Sequence, residues 1–361
     1  QLEYLVTTRL KHKTHKKEIL QIQQKFKDSV SFHEKINELV EIRAQGYNLF
    51  RSEGRTLRKK ADGDHYFTLL KKFENDTELN PDSFKETYNY YEQSSVALRF
   101  QGNFEASFEF QKRMDEFYST HEQYKRVYLK EYLRFMSHKV IVSNMLKRFD
   151  NSLKILRKME EIYDKSESKE IHIQLFENII FHEIEIYLYQ GEFDNAVALA
   201  EKNLDKIEEL KNEIHSVNKQ SKYYRIALAY FGNNDLKKAL RWINQIINFD
   251  EMKYRKDILS SVCTVNLLIH FELGNYSLLE NRLQTTVQQL KKIDRLLTPE
   301  KLIIQAIRDI VSNEKDQLKT LIKLKLDFAE CVKINPLDEY FIAYLNFDQW
   351  LEGKIEGLSE K

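Results

Sequence analysis

Apolar residues recur three and four positions apart through most of the chain, the spacing that lines one face of an α-helix. Ile180, Ile184 and Tyr187 trace such a face in one stretch, and Ile226, Ala227 and Tyr230 trace it in another. Each face stops at a short polar turn and resumes beyond it. Five of these turns share one plan: "QGNFEASFEF" from Gln101, "LKRFDNSLKIL" from Leu146, "QGEFDNAVALA" from Gln190, "NNDLKKALRWI" from Asn233 and "LGNYSLLENRL" from Leu273. A turn residue comes first (Gly102, Lys147, Gly191, Asn234, Gly274), and an apolar one follows two later (Phe104, Phe149, Phe193, Leu236, Tyr276). A mostly small residue comes next: Ser107, Ser152, Ala196 and Ala239, with Leu279 the exception.

The turn residues stand 40–45 residues apart. That period signals a solenoid of stacked helical hairpins, each too thin to bury its apolar face without a neighbour. The turn residue closes the hairpin in a left-handed conformation, which Gly enters freely and Asn tolerates. Lys147 departs from this, so its turn is expected to differ in shape or to be strained. The aromatic fixes where the second helix joins the stack, and the small residue lets two helix backbones approach.

These units resemble tetratricopeptide (TPR) repeats in a long-helix form, over about residues 84–333. "YYRIALAYFGNNDLKKALRWINQII" carries the resemblance best, with "YLYQGEFDNAVALAEKNL" and "NLLIHFELGNYSLL" beside it. The chain is also similar to a family of long TPR-containing proteins found mainly in Bacteroidota, a likeness that implies no known activity. Members of that family tend to be longer, which implies residues ahead of Gln1. The fold implied is all-α: a right-handed α-solenoid with extra N-terminal helices over 1–83, about six hairpins over 84–333, and a capping helix and tail over 334–361.

Prolines mark helix beginnings. Ser83 caps the first hairpin, with Glu86 three residues on, just after Pro81; Thr298 precedes Pro299, and Asn335 precedes Pro336. A bend at "SNEKDQ" divides a degenerate last hairpin. The final amphipathic helix is expected over about 337–352, carrying Tyr340, Ile342, Ala343, Leu345 and Trp350. Ahead of the hairpins, two long helices and a shorter one are expected, joined at "SVSFHEK" and "RKKADGDH".

Composition agrees with helices. Over 361 residues there are only 9 Gly and 3 Pro, so few breakers interrupt the pattern, while 42% hydrophobic and 31% charged residues suit a folded, soluble chain. Net charge is +1, which gives no global field for nucleic acid or an acidic membrane. No apolar run spans a bilayer, and the first residues do not read as a secretory signal; a cytoplasmic location is expected. Cys263 and Cys331, far apart in sequence and each in an apolar pattern, read as buried reduced thiols.

Charge is uneven along the chain. Residues 1–61 hold 14 Lys and Arg against 7 Asp and Glu. "RLKHKTHKK" and "RTLRKK" read as a solvated or charge-balancing strip, with a strip for an acidic partner as the alternative. No aromatic alternates with these bases, which argues against nucleic acid. His12 and His15 share a helical face without a carboxylate or Cys beside them, so no metal site is expected. P-loop, dinucleotide and nucleophile-elbow spellings are missing. The chain therefore reads as a non-enzyme without a cofactor.

The TPR resemblance implies that the first helix of each hairpin lines a concave ligand face. Carried over by position, this lining is Asn89, Arg99 and Phe100; Arg134, Ile141 and Asn144; Phe181, Glu185 and Tyr189; Tyr224, Leu228 and Phe231; and Thr264, Leu268 and Phe271. It lacks the Lys/Asn cluster that holds a partner's C-terminal carboxylate. An aromatic groove suits an amphipathic helix or an extended peptide, unless neighbouring helices or a folded-back terminal helix cover it. The function expected is a protein- or peptide-binding scaffold; the alternative is a peptide-responsive signalling or transcription regulator whose effector module lies upstream of Gln1.

Overall fold

The computed structural model describes residues 16–74, 83–213, 216–248 and 255–359. Every regular element among them is helical. The N-terminal helices are α1 (Lys16–Glu53) and α2 (Asp64–Glu74). Then come α3 (Phe84–Phe100), α4 (Phe104–Thr120), the short α5 (Gln123–Val127), α6 (Leu129–Met145) and α7 (Phe149–Lys165). They are followed by α8 (Lys169–Gln190), α9 (Phe193–Lys202), the short α10 (Leu204–Glu209), α11 (Ser216–Gly232) and α12 (Leu236–Ile247). The chain ends with α13 (Lys256–Glu272), α14 (Tyr276–Lys292), α15 (Thr298–Ser312), α16 (Gln317–Ile334) and α17 (Phe347–Ser359). Helices pack mainly on their sequence neighbours, giving consecutive pairs: α3/α4, α6/α7, α8/α9, α11/α12, α13/α14 and α15/α16.

The repeated spelling maps onto the pair geometry. All five turn residues are left-handed, with φ of 78° at Gly102, 55° at Lys147, 75° at Gly191, 59° at Asn234 and 66° at Gly274. Lys147 therefore closes the same turn as its glycine counterparts, accepting a conformation that costs an L-residue roughly 1–2 kcal/mol. The small residues Ser107, Ser152, Ala196 and Ala239 are all 0% exposed, as is Leu279. Where serine replaces alanine its hydroxyl is bonded: Ser107 Oγ donates to the Ser95 carbonyl at 2.8 Å, and Ser152 Oγ to Asn144 Oδ1 at 2.6 Å. The Phe193 ring lies on the last turn of α11, against Gly232, where a Cβ would stand 2.1 Å from Phe193 Cδ1.

First helices are buried differently from second helices. From Gln220 to Phe231 every residue of α11 is buried, whereas α12 buries only Ala239, Ile243 and Ile246. Other first and second helices flank α11, and two segments from elsewhere in the chain meet its Arg225 side chain around Glu185 and the Tyr344 ring. One is the linker that follows α1, Gly54–Lys59. The other runs from a 3₁₀ turn at Pro336–Tyr340 to α17.

Three boundaries differ from expectation. "SVSFHEK" does not divide helices; α1 runs through it, because the stretch contains neither Gly nor Pro to break the hydrogen-bond ladder. Thr298 is the first residue of α15 and Leu297 its cap. The last helix begins at Phe347 instead of near 337. Phe341, Ile342, Tyr344 and Leu345 are all at most 6% exposed, which a helix lying on a surface cannot achieve for neighbouring residues. The backbone instead threads inward, turning at Tyr344 (φ 64°). Ser261 Oγ accepts from Ala343 N at 3.0 Å, replacing the helical bond that the segment forgoes. At the first hairpin, Ser83 accepts from Glu86 N at 3.4 Å as expected. His12, His15 and Pro81 lie outside the described residues. Cys263 and Cys331 are buried free thiols.

Gly232→Ala is expected to drive a methyl group into the Phe193 ring and to cost roughly 1–3 kcal/mol. A urea or thermal melt of the purified variant measures this, and an unchanged midpoint would contradict the contact.

Candidate functional site

The sequence placed Glu185 in a ligand-facing row. It lies in the C-terminal half of α8, 0% exposed, where side chains from three other elements converge on it. Arg55, on the linker after α1, donates to it from both terminal nitrogens at 2.5 and 3.0 Å. Arg225, on α11, donates from Nε and Nη2 at 3.1 and 2.8 Å. Asn144 of α6 adds a bond at 3.4 Å and carries the Ser152 hydroxyl on its own Oδ1. Burial alone would push Glu185 upward, but Arg55 and Arg225 outweigh it and hold the carboxylate well below its ordinary range. Both guanidiniums also lie over the Tyr344 ring, at 4.8 and 4.2 Å.

A second knot fixes the linker further on. Arg58 bridges Glu300 of α15 and Asp338 of the C-terminal segment, with Nη2–Oε2 at 3.0 Å and Nε–Oδ1 at 2.9 Å. Ser260 of α13 donates to the same Glu300 at 3.0 Å. The Leu57 amide donates to the Phe100 carbonyl at 2.9 Å. One short linker thus touches α3, α8 and α15, so the first helices converge around it. "RTLRKK", read as a solvated or partner-binding strip, is in part internal: Arg55 and Arg58 neutralise carboxylates of the same chain.

This arrangement divides the predicted lining. Phe100 is 0% exposed and meets Tyr66 edge-on at 5.9 Å. Tyr224 faces Tyr344 at 6.2 Å, and Phe231 faces Trp350 at 6.3 Å. Tyr189 stacks near Phe149 and lines a small void with Tyr340 and Tyr344. Asn89 donates to the Lys85 carbonyl of its own helix at 2.7 Å. Leu228, Thr264, Leu268 and Phe271 are buried in the core. The linker and C-terminal segment therefore cover much of the row that sequence position alone assigned to a ligand.

What stays open is a cleft between α1 and the first helices of the leading hairpins. Its α1-side compartment, about 530 Å³, is bounded by α1, α3 and α6 and contains Arg99, Arg134 and Ile141 from the predicted row. An adjoining compartment of about 350 Å³ shares Phe50, Arg134, His138 and Ile141 with it and extends past Phe181 to α11. These volumes lie in the range of small-ligand sites. Sequence reading missed Arg43, His138, His182, Lys222, Arg225 and Arg255, all on its walls. The signal for Arg225 was present in "YYRIALAYF", a lone charge inside an apolar run.

The walls are strongly cationic. Burial pulls Lys222 down to about 8 even though Glu177 pairs with it at 2.5 Å. Burial also lowers His138 and His182, reinforced by nearby arginines, and for His182 this outweighs Glu185 at 3.6 Å. Both imidazoles are thereby biased toward the neutral form. Arg255 lies over Phe50 at 4.6 Å and pairs with Asp257 at 2.7 Å. Among the described residues no group of His, Cys, Asp or Glu is placed to hold a metal ion, and no helix is long and apolar enough to cross a membrane. Comparison with protein-family models gives no match, and comparison with curated proteins gives none either.

Replacing Glu185 by Ala would leave Arg55 and Arg225 buried without their counter-charge, and a loss of about 3–5 kcal/mol is expected by chemical denaturation. The depressed His182 binds protons more weakly folded than unfolded, so its contribution is present above the ordinary value of 6.5 and is lost as pH falls below it. Unfolding midpoints are expected to drop between about pH 7.5 and about pH 5.5, and His182→Gln is expected to flatten that drop. An equally steep profile in the variant would refute the assignment.

Proposed function

We propose that this chain is a non-enzymatic, cytoplasmic binding scaffold of the TPR type, its consecutive pairs forming a right-handed stack. It receives a protein or peptide segment in the cleft between α1 and the first helices. One observation supports this above the others. With much of the first-helix row covered by the linker and C-terminal segment, Arg99, Arg134, Ile141 and Phe181 still line open space. Basic walls with apolar patches at Tyr47, Phe50 and Phe181 suit a segment that alternates acidic and apolar side chains.

The alternative, a peptide-responsive regulator with an effector module upstream of Gln1, draws on a different feature. The cleft has α1 on one side and the hairpins on the other. A ligand there contacts both, and its differential affinity biases their relative placement.

Selection of a random peptide library on the purified protein tests the scaffold reading. Enriched sequences are expected to carry Asp or Glu beside apolar residues, and Arg134→Glu is expected to weaken them by at least about tenfold. Enrichment of basic peptides, or binding indifferent to Arg134→Glu in a folded variant, would overturn it.

A further inference from the structure

Arg99 is the least explained charge in the molecule. It is 3% exposed, yet no carboxylate lies within ion-pairing distance of it among the described residues, and its Nε has no hydrogen-bond partner. The Phe100 ring lies 5.8 Å from its guanidinium, a contact worth at most about 2 kcal/mol, and Tyr66 and Glu92 favour its charge without bonding to it. Burial, then repulsion from Arg55 and Arg255, draws Arg99 down to about 10. An unpaired buried guanidinium costs several kcal/mol, and nothing else in the fold uses this one.

Its surroundings point to what offsets that cost. The α1-side compartment brings Arg43, Arg99 and Arg134 around one cavity against a single carboxylate, Glu92. Burial pushes Glu92 upward, while Arg134, Arg43 and Arg99 favour its ionised form. The rest of the wall is largely apolar: Val40, Ala44, Tyr47, Phe50, Val96 and Ile141.

We propose that the α1-side compartment binds a small dianion carried on an apolar or aromatic body, with Arg99 as its central ligand and Arg43 and Arg134 flanking it. Three guanidiniums facing one carboxylate leave an excess of two positive charges, which a monoanion does not neutralise. Phosphate monoesters and dicarboxylates both meet this requirement, and guanidinium forks suit either. The apolar wall takes the body that carries the charge. The inference rests on the cleft being a ligand site and does not require the ligand to be a peptide.

Calorimetric titration and thermal shift with phenyl phosphate, phthalate and benzoate test it on the whole chain. At least one dianion is expected to bind about tenfold or more tighter than benzoate. A preference for phenyl phosphate would assign a phosphoryl group, and a preference for phthalate a dicarboxylate. Arg99→Met keeps the volume and removes the charge, so it is expected to raise the melting midpoint without ligand and to abolish the ligand-induced shift. A purely structural arginine would give the opposite sign, a lowered midpoint. Arg134→Gln, on the exposed wall, is expected to weaken binding about tenfold with the midpoint unchanged. Equal binding of benzoate and both dianions, full binding by Arg99→Met, or its destabilisation would overturn the proposal. Acidic peptides that bind while both dianions fail would also overturn it and leave the peptide reading intact. Dianions that bind while the peptide selection fails would do the reverse.

Discussion

A single buried carboxylate, Glu185, organises the interior of this protein. Two arginines from segments far apart in the chain donate to it, and Asn144 of α6 joins them. A carboxylate without water requires such partners, and the partners in turn require it. Consecutive helix pairs need only their neighbours for packing. The Glu185 knot adds to this by tying α8 and α11 to the linker after α1. Arg58, held by Glu300 and Asp338, ties the same linker to the far end of the stack.

The knot also shapes the cleft. Arg55 and Arg225 share the single charge of Glu185, and Arg255 pairs with Asp257, so these charges are partly neutralised where they stand. Arg99 lies just beyond, in a compartment where α1 bends no carboxylate toward it. The imbalance is local: the chain as a whole carries a net charge of +1. Low-dielectric walls concentrate such an imbalance, whereas water would screen it on an open surface. Burial lowers His138, and Arg99 and Arg134 lower it further, in keeping with such a field.

Particular residues show how far the sequence reached. Gly191, Asn234 and Gly274 announced the hairpin turns because a left-handed residue is a local demand, readable without knowing any neighbour. Ala196 and Ala239 announced close helix contacts for a similar reason: small size at a fixed place in a repeat has few other uses. Lys147 shows the limit of residue identity, since its backbone does what glycine would do. Arg99 and Arg134 were picked by repeat position and do line the cleft, whereas Tyr224, Phe231 and Phe100, picked the same way, face the chain's own linker, C-terminal segment or α2. Repeat position specifies which way a side chain points, and carries no information about what arrives there from a distant part of the chain.

The sequence by itself determined the helices, their pairing with neighbours and the small residues between them, because each depends on contacts within about one repeat length. Tertiary structure alone decided that Arg55 and Arg58 lie inside, that the segment around Tyr344 leaves the helix to cover the first-helix row, and that Arg99 is left without a counter-ion. Those outcomes join residues 130, 242 and 280 positions apart. No periodicity encodes such separations, since they are fixed by where desolvated charges find partners once the stack has formed.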